Sequence, residues 1–142
     1  MMIDGVRAMD RATELVLRYF TALNRGDADS VLACLADDVV HDVNQQPREI
    51  GNAAFATFLA QRQRCYREQW RGIVVMANVD GAHAAAEFVV HGEYLIQDGA
   101  APPASGQTYV LPGGAFFEIR DGQIARITDY CNRTDWLRQV GA

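Results

Sequence analysis

The chain has 142 residues, 49% hydrophobic and 22% charged, with a formal net charge of −5. That length suits one domain over 1–142 that buries its own core without disulfide or metal staples. The acidic balance leaves no electrostatic footprint for a phosphate backbone and so excludes a nucleic-acid partner.

Residues 10–25 place Ala12, Leu15, Val16, Tyr19, Phe20 and Leu23 at the spacing of an amphipathic helix, with Asp10 as a cap at its start. Gly26 ends it, and Asp27 caps a second short helix with Ala28, Val31, Leu32 and Leu35 on one face. Val39 to Val43 reads as a short strand, and Pro47 breaks the chain. A third helix is expected over 51–66, with Phe55, Phe58, Leu59, Arg62 and Tyr66 on one stripe.

Four strands follow: Trp70 to Val79, His83 to Ile96, Thr108 to Arg120 and Ile124 to Asn132. Asp80-Gly81 and Asp121-Gly122 mark the turns, and Pro112-Gly113-Gly114 predicts a bulge or bend inside the third of them. A last helical turn covers Asp135 to Val140 and carries Trp136. Helices first and hairpin-linked strands afterwards make an α+β fold. A curved sheet of this size is not filled by three helices, so a cone with an apolar pocket between the layers is expected.

Several chemistries are excluded by composition. All 13 basic residues are arginine, which removes a Schiff-base lysine. Ser30 and Ser105, the two serines, sit in no Gly-x-Ser-x-Gly turn. Cys34, Cys65 and Cys131 form no Cys-x-x-Cys pair and read as reduced thiols of a cytoplasmic protein. No histidine spacing suggests a metal, and Pro112-Gly113-Gly114 lacks the lysine and helix of a phosphate loop, so no metal and no cofactor are expected. Met1 to Asp10 has no signal-peptide character, and no apolar run approaches the ~20 residues of a membrane span.

Strand alternation alone leaves the acids open. Asp42 is either a base in an apolar cleft or a strand-end carboxylate facing water, and Asp129 is either a pocket acid or a solvated one. Tyr19 is either a core tyrosine or a hydroxyl aimed into the pocket. Tyr94, Phe20, Phe55, Phe58, Phe88, Val90, Phe117, Ile127 and Trp136 read as core or pocket wall. His91 shares a face with Glu87, Val89 and Glu93, the expected outer side of the sheet, and His41 alternates away from Asp42.

The stretch from Arg18-Tyr19-Phe20 to Asn24-Arg25-Gly26-Asp27, with Leu35-Ala36-Asp37-Asp38 and an acid four positions on, resembles ketosteroid isomerases. Arg48-Glu49-Ile50-Gly51 and Phe116 to Ile124 extend the likeness to SnoaL-like proteins of the nuclear-transport-factor-2-like superfamily. The resemblance implies a cone of three N-terminal helices on a curved, mostly antiparallel sheet, paired into a homodimer through the sheet's outer face. In ketosteroid isomerases an aspartate base works with a tyrosine and a protonated carboxylic acid that steady the enolate oxygen. The resemblance places Asp42 at that general base and Tyr19 at the hydrogen-bonding tyrosine. The third isomerase position, the protonated acid, falls near Ala115, where this chain has Gly113-Gly114-Ala115. Asp129 instead resembles the pocket carboxylate of SnoaL-like cyclases. The implied activity is cofactor-independent proton transfer α to the carbonyl of a small apolar substrate, polycyclic ones included. The alternatives are a non-catalytic binding or dimerisation module, and a water-activating hydrolase or dehydratase with Arg62 between two acids.

Overall fold

A computed structural model describes residues 2–141, with side chains from residue 7 onward. In chain order the elements are α1 (Met2–Arg25), α2 (Ala28–Ala33), β1 (Leu35–Val43), β2 (Glu49–Ile50), α3 (Asn52–Cys65), β3 (Tyr66–Ala77), β4 (His83–Tyr94), β5 (Gln107–Arg120), β6 (Gln123–Cys131) and α4 (Arg133–Val140). The first helix begins upstream of its expected cap, so Asp10 lies inside α1 rather than at its start. Gly26, at φ +67°, makes the left-handed turn out of α1, and Asp27 accepts the Ser30 N–H at 3.1 Å to open α2.

The strands form one six-stranded sheet in the order β2-β1-β6-β5-β4-β3. β3 to β6 are an antiparallel meander, as their hairpin turns require. β1 joins this meander alongside β6 and runs parallel to it, so the sheet is mixed. The chain returns between those neighbours through α3 and the meander, the long connection that a parallel pair needs. The expected bulge at Pro112-Gly113-Gly114 does not form in the β4 ladder, where Val89 pairs with Pro112 and the register runs unbroken. Pairing to β6 starts only at Gly113, so the proline lies beyond the end of that neighbour. The register shifts elsewhere: in β3 between Arg71 and Val74, where Gly72 takes φ +61°, between β5 and β6 at Glu118 and Ile119, and between β1 and β6 from Leu35 to Val40.

Helix α1 crosses the inner face of the sheet and buries Leu15, Val16, Tyr19 and Phe20 there. Asn24, at its end, is hydrogen-bonded to β3 like a short strand. Its Oδ1 accepts the Trp70 N–H at 2.7 Å and its Nδ2 donates to the Trp70 carbonyl at 2.9 Å. This fixes α1 against the edge of the sheet. At the other end of α1, the β3–β4 turn packs on the Ala8 carbonyl so closely that a Cβ at Gly81 would stand 2.5 Å from it.

A second glycine opens the space that the site uses. Gly92 faces inward on β4, and the Tyr109 ring of β5 lies across it; a Cβ there would fall 2.2 Å from that ring. Gly92→Ala should therefore displace Tyr109 and cost about 1–3 kcal/mol, the usual range for overpacking. Urea denaturation checks this; an unchanged midpoint would mean that the ring is not held over the glycine.

Candidate active site

The helical layer leaves a pocket of about 210 Å³ against the inner face of the sheet. Its apolar wall includes Phe20 and Leu23 of α1, Phe55, Phe58 and Leu59 of α3, Phe88 and Val90 of β4, and Leu111 of β5. Trp136 of α4 also lines it, placed by Asn132, whose side chain caps that helix at the Asp135 N–H. Of the expected lining residues, Phe20, Phe55, Phe58, Phe88, Val90 and Trp136 are therefore in the wall. Tyr94, Phe117 and Ile127 are not: each is fully buried in the core and none borders the cavity. The Tyr94 hydroxyl is tied instead to the Pro102 carbonyl at 2.6 Å and the Asp98 N–H at 3.0 Å.

Asp129 of β6 borders the pocket. It pairs across the ladder with Ala115 of β5, the position where the isomerase resemblance asked for an acid. The chain thus carries a carboxylate on the neighbouring strand, and the small side chain opposite leaves room for it. His41 of β1 lies behind it, with Nε2 2.8 Å from Asp129 Oδ2. With Asp129 ionised, this bond requires a proton on His41 Nε2. His41 is 4% exposed, and its ring is held between Phe55 and Phe58, with ring centres 4.7 and 4.6 Å away. Tyr19 borders the same pocket, packed edge-on to Phe20 and Phe117. Burial, and then the charge of Asp129, push the Tyr19 hydroxyl well above the ordinary tyrosine range, so it stays protonated and able to donate.

Asp42 does not reach the pocket, which corrects its expected place as an inward base. The alternation on β1 runs Val39, His41, Val43 inward and Val40, Asp42 outward. Arg48 grips the Asp42 carboxylate in a two-pronged bond at 2.8 and 2.9 Å, and the Thr128 hydroxyl donates at 3.2 Å. The Arg48 hydrogen bonds hold the Asp42 carboxyl below the usual range; burial opposes them and Thr128 adds to them. A carboxylate held in this way is a poor base. His41, the residue that sequence reasoning passed over, is the one that meets the pocket acid. Its signal was present as the inward partner of two β-branched neighbours, Val39 and Val43.

The opposite end of the pocket is also polar. Arg62 of α3 donates from Nη2 to Glu68 Oε1 at 2.7 Å, and the Tyr109 hydroxyl donates to Glu68 Oε2 at 2.7 Å. Burial is the strongest single influence and opposes the charge on Arg62, but Glu68, Tyr66 and Tyr109 together outweigh it and keep the guanidinium cationic. Among the described residues Arg62 has one acidic partner, so the arginine between two acids expected of a hydrolase does not form. No three of His, Cys, Asp and Glu converge as metal ligands among the described residues. No helix of the described residues is long and apolar enough to cross a membrane.

A family model for the SnoaL-like domain matches residues 16–127, and the chain belongs to that family. Its fold is that of nuclear-transport-factor-2-like proteins. Among solved structures, the chain is similar to a "putative polyketide cyclase" from Xanthomonas campestris pv. campestris. The two share 58% identity over 93% of this chain and 98% of the other, with a TM-score of 0.90. A second protein so described, from Pseudomonas putida KT2440, is 56% identical over 91% and 97% of the two chains, at a TM-score of 0.90. A third, from Silicibacter sp. TM1040, is 44% identical over 94% and 98%, at a TM-score of 0.92. The comparison with curated proteins gives no match.

Asp42 has a defined pH signature. Its folded pKa is depressed, so its ion pair contributes stability above the unfolded aspartate value of about 3.9 and loses it as pH falls through the folded value. Wild type should exceed Asp42→Asn in urea midpoint near neutral pH, and the gap should narrow at about pH 3. A gap of equal size at both pH values would contradict the Arg48 clamp.

Proposed function

We propose that the chain is a cofactor-independent acid–base enzyme of the polyketide cyclase type, acting on a compact apolar ketone. The observation that carries this reading is the Asp129 carboxylate, bordering a pocket with a largely aromatic and aliphatic wall and hydrogen-bonded by a buried histidine. Asp129 takes the proton from the carbon α to the carbonyl. The electron pair moves to the carbonyl oxygen, where the Tyr19 hydroxyl donates a hydrogen bond to the enolate. In a cyclase the enolate carbon then attacks a second carbonyl of the same molecule, and the proton held by Asp129 goes to the new alkoxide. In an isomerase the same proton returns to another carbon of the conjugated system. His41 is a positioning residue: its Nε2–H points one carboxylate oxygen and leaves the other free for substrate.

The volume supports a substrate of one or two rings, since pockets for drug-sized ligands run to ~300–1,000 Å³. A four-ring steroid fits this reading poorly. The description shared by three close relatives supports cyclase chemistry. The three unpaired cysteines support a reducing, cytoplasmic setting.

The same reading includes a homodimer through the outer face of the sheet. Val74 and Met76 of β3, Val110 and Phe116 of β5, and Tyr130 of β6 are each about half exposed there. Phe116 and Tyr130 pack edge to face, 6.0 Å apart, as a ready anchor. Phe116→Arg should convert a dimer into a monomer in analytical ultracentrifugation; a wild-type chain that sediments as a monomer would refute the pairing.

Exchange of the α-protons of β-decalone in heavy water tests the chemistry without a natural substrate. Wild type should accelerate exchange over buffer, and Asp129→Asn should lose about 10²–10⁴-fold of that rate. His41→Ala should lose less, because the carboxylate remains. Equal exchange in wild type and Asp129→Asn, or none above buffer in wild type, would refute proton abstraction by Asp129. Asp42→Asn should exchange at the wild-type rate.

A further inference from the structure

Proton transfer at Asp129 leaves the other polar end of the pocket without a role. Three elements build it: Arg62 comes from the last turn of α3, Glu68 from the start of β3 and Tyr109 from β5. Both carboxylate oxygens of Glu68 are taken, one by Arg62 and one by the Tyr109 hydroxyl, and its side chain is 8% exposed. The guanidinium carbon lies 3.9 Å from the centre of the Tyr66 ring, which fixes the plane of the group. Tyr66 is fixed in turn, donating to Asp98 Oδ2 at 2.7 Å. Arg62 is thus immobilised before any ligand arrives.

An arginine carries five N–H donors in a planar fork. Among the described residues, this guanidinium makes one hydrogen bond, to Glu68. The side chain borders the pocket that holds Asp129, and it also borders an outer cleft of about 420 Å³. Glu68, Tyr66 and Trp70 border both spaces as well, so the ion pair stands in the wall between them. Uncommitted donors at such a place must find acceptors on water or on a ligand.

The charge of the group decides which acceptor it prefers. Arg62 and Glu68 cancel, so the pair offers directed donors without net positive charge; Arg133, the other arginine bordering the pocket, lies over the Trp136 ring and is exposed to solvent. A carboxylate would lose its hydration there without an unpaired cation to compensate it. A carbonyl or hydroxyl oxygen loses less hydration and takes the same hydrogen bonds.

We infer that Arg62, clamped by Glu68 and Tyr66, is a second substrate anchor that donates hydrogen bonds to an uncharged oxygen at the far end of the ligand from Asp129. The substrate class is then an apolar ring compound with two oxygen functions, one at each end: a reacting ketone at Asp129 and Tyr19, and a neutral carbonyl or hydroxyl at Arg62. The assignment rests on the proposed reading of Asp129 as the reacting end. It concerns binding and not turnover, so the two stand or fall separately.

Calorimetric titration with three probes tests it. These are β-decalone, the decalin dione with its second carbonyl at the far end of the other ring, and the keto acid with a carboxylate at that same place. Wild type should bind the dione about tenfold more tightly than β-decalone, the size of one hydrogen bond to a charged donor. The keto acid should bind no more tightly than the dione. Removing Arg62 alone would leave a buried carboxylate and risks unfolding, so the variant of choice is Arg62→Met with Glu68→Gln, which removes both charges. There the preference for the dione should fall to within about twofold, with the affinity for β-decalone kept. Glu68→Gln alone leaves the cation uncompensated and should move the preference to the keto acid.

Equal affinity of wild type for β-decalone and the dione would overturn the anchor. So would a dione preference that survives in the double variant, or a wild-type preference for the keto acid. Asp129→Asn should keep the dione preference. A kept preference without proton exchange would count against Asp129 and leave Arg62 standing; exchange at Asp129 without the preference would do the reverse.

Discussion

The hydrogen bond between His41 and Asp129 is the constraint on which the site depends. It spans the parallel pair β1 and β6, the seam where the N-terminal half of the chain meets the meander. His41 pairs with Ile127 and Val43 with Asp129, so the imidazole leans along the strand to reach the carboxylate one inward position further on. Phe55 and Phe58 close over the ring and shield the imidazole from water, while the Asp129 side chain is 34% exposed. Without the histidine, Asp129 would be a carboxylate on an apolar wall with no fixed direction. With it, Oδ2 is engaged and Oδ1 has no side-chain partner among the described residues.

The same strands carry a second acid with the opposite character. Asp42 and Asp129 lie on neighbouring strands but on opposite faces of the sheet. The outward one is satisfied by Arg48 and Thr128 and is held as an anion. The inward one has a single hydrogen-bonding side chain beside it, among the described residues, and shares the pocket with the protonated Tyr19 hydroxyl. A one-residue change of face therefore separates a structural ion pair from a carboxylate that borders the pocket, because side chains alternate at every position of a strand. The pocket itself is bounded by two polar ends and aromatic walls: Asp129 and Tyr19 at one end, Arg62 and Glu68 at the other.

Much of the fold was legible in the sequence, because each element carries its own periodicity. The stripe from Ala12 to Leu23, the turn glycines at 26, 81 and 122, and the alternation from His83 to Tyr94 all report local geometry, and the structure keeps them. Pairing of β1 beside β6 was not legible, since nothing local to either strand names its neighbour. The inward face of β1 was ambiguous for a related reason. Val39, Val40 and Val43 put β-branched residues on both faces, and His41 and Asp42 are both polar. Only the partners decide: Asp129 and two phenylalanines on one side, Arg48 and Thr128 on the other, all distant in sequence or in another element. Tyr94, Phe117 and Ile127 show the matching limit for aromatic and aliphatic wall residues. Alternation put them on the inner face, as found, but did not say whether a helix covers them or leaves them to a cavity.

The central claim is that His41 donates to Asp129 and thereby fixes the pocket acid. Nitrogen-15 NMR of histidine-labelled protein observes this bond directly. His41 should be present as the Nε2–H tautomer, with a slowly exchanging ring proton that is lost or sharply shifted in Asp129→Asn. A His41 ring proton that exchanges freely with water, with the same spectrum in wild type and Asp129→Asn, would contradict it.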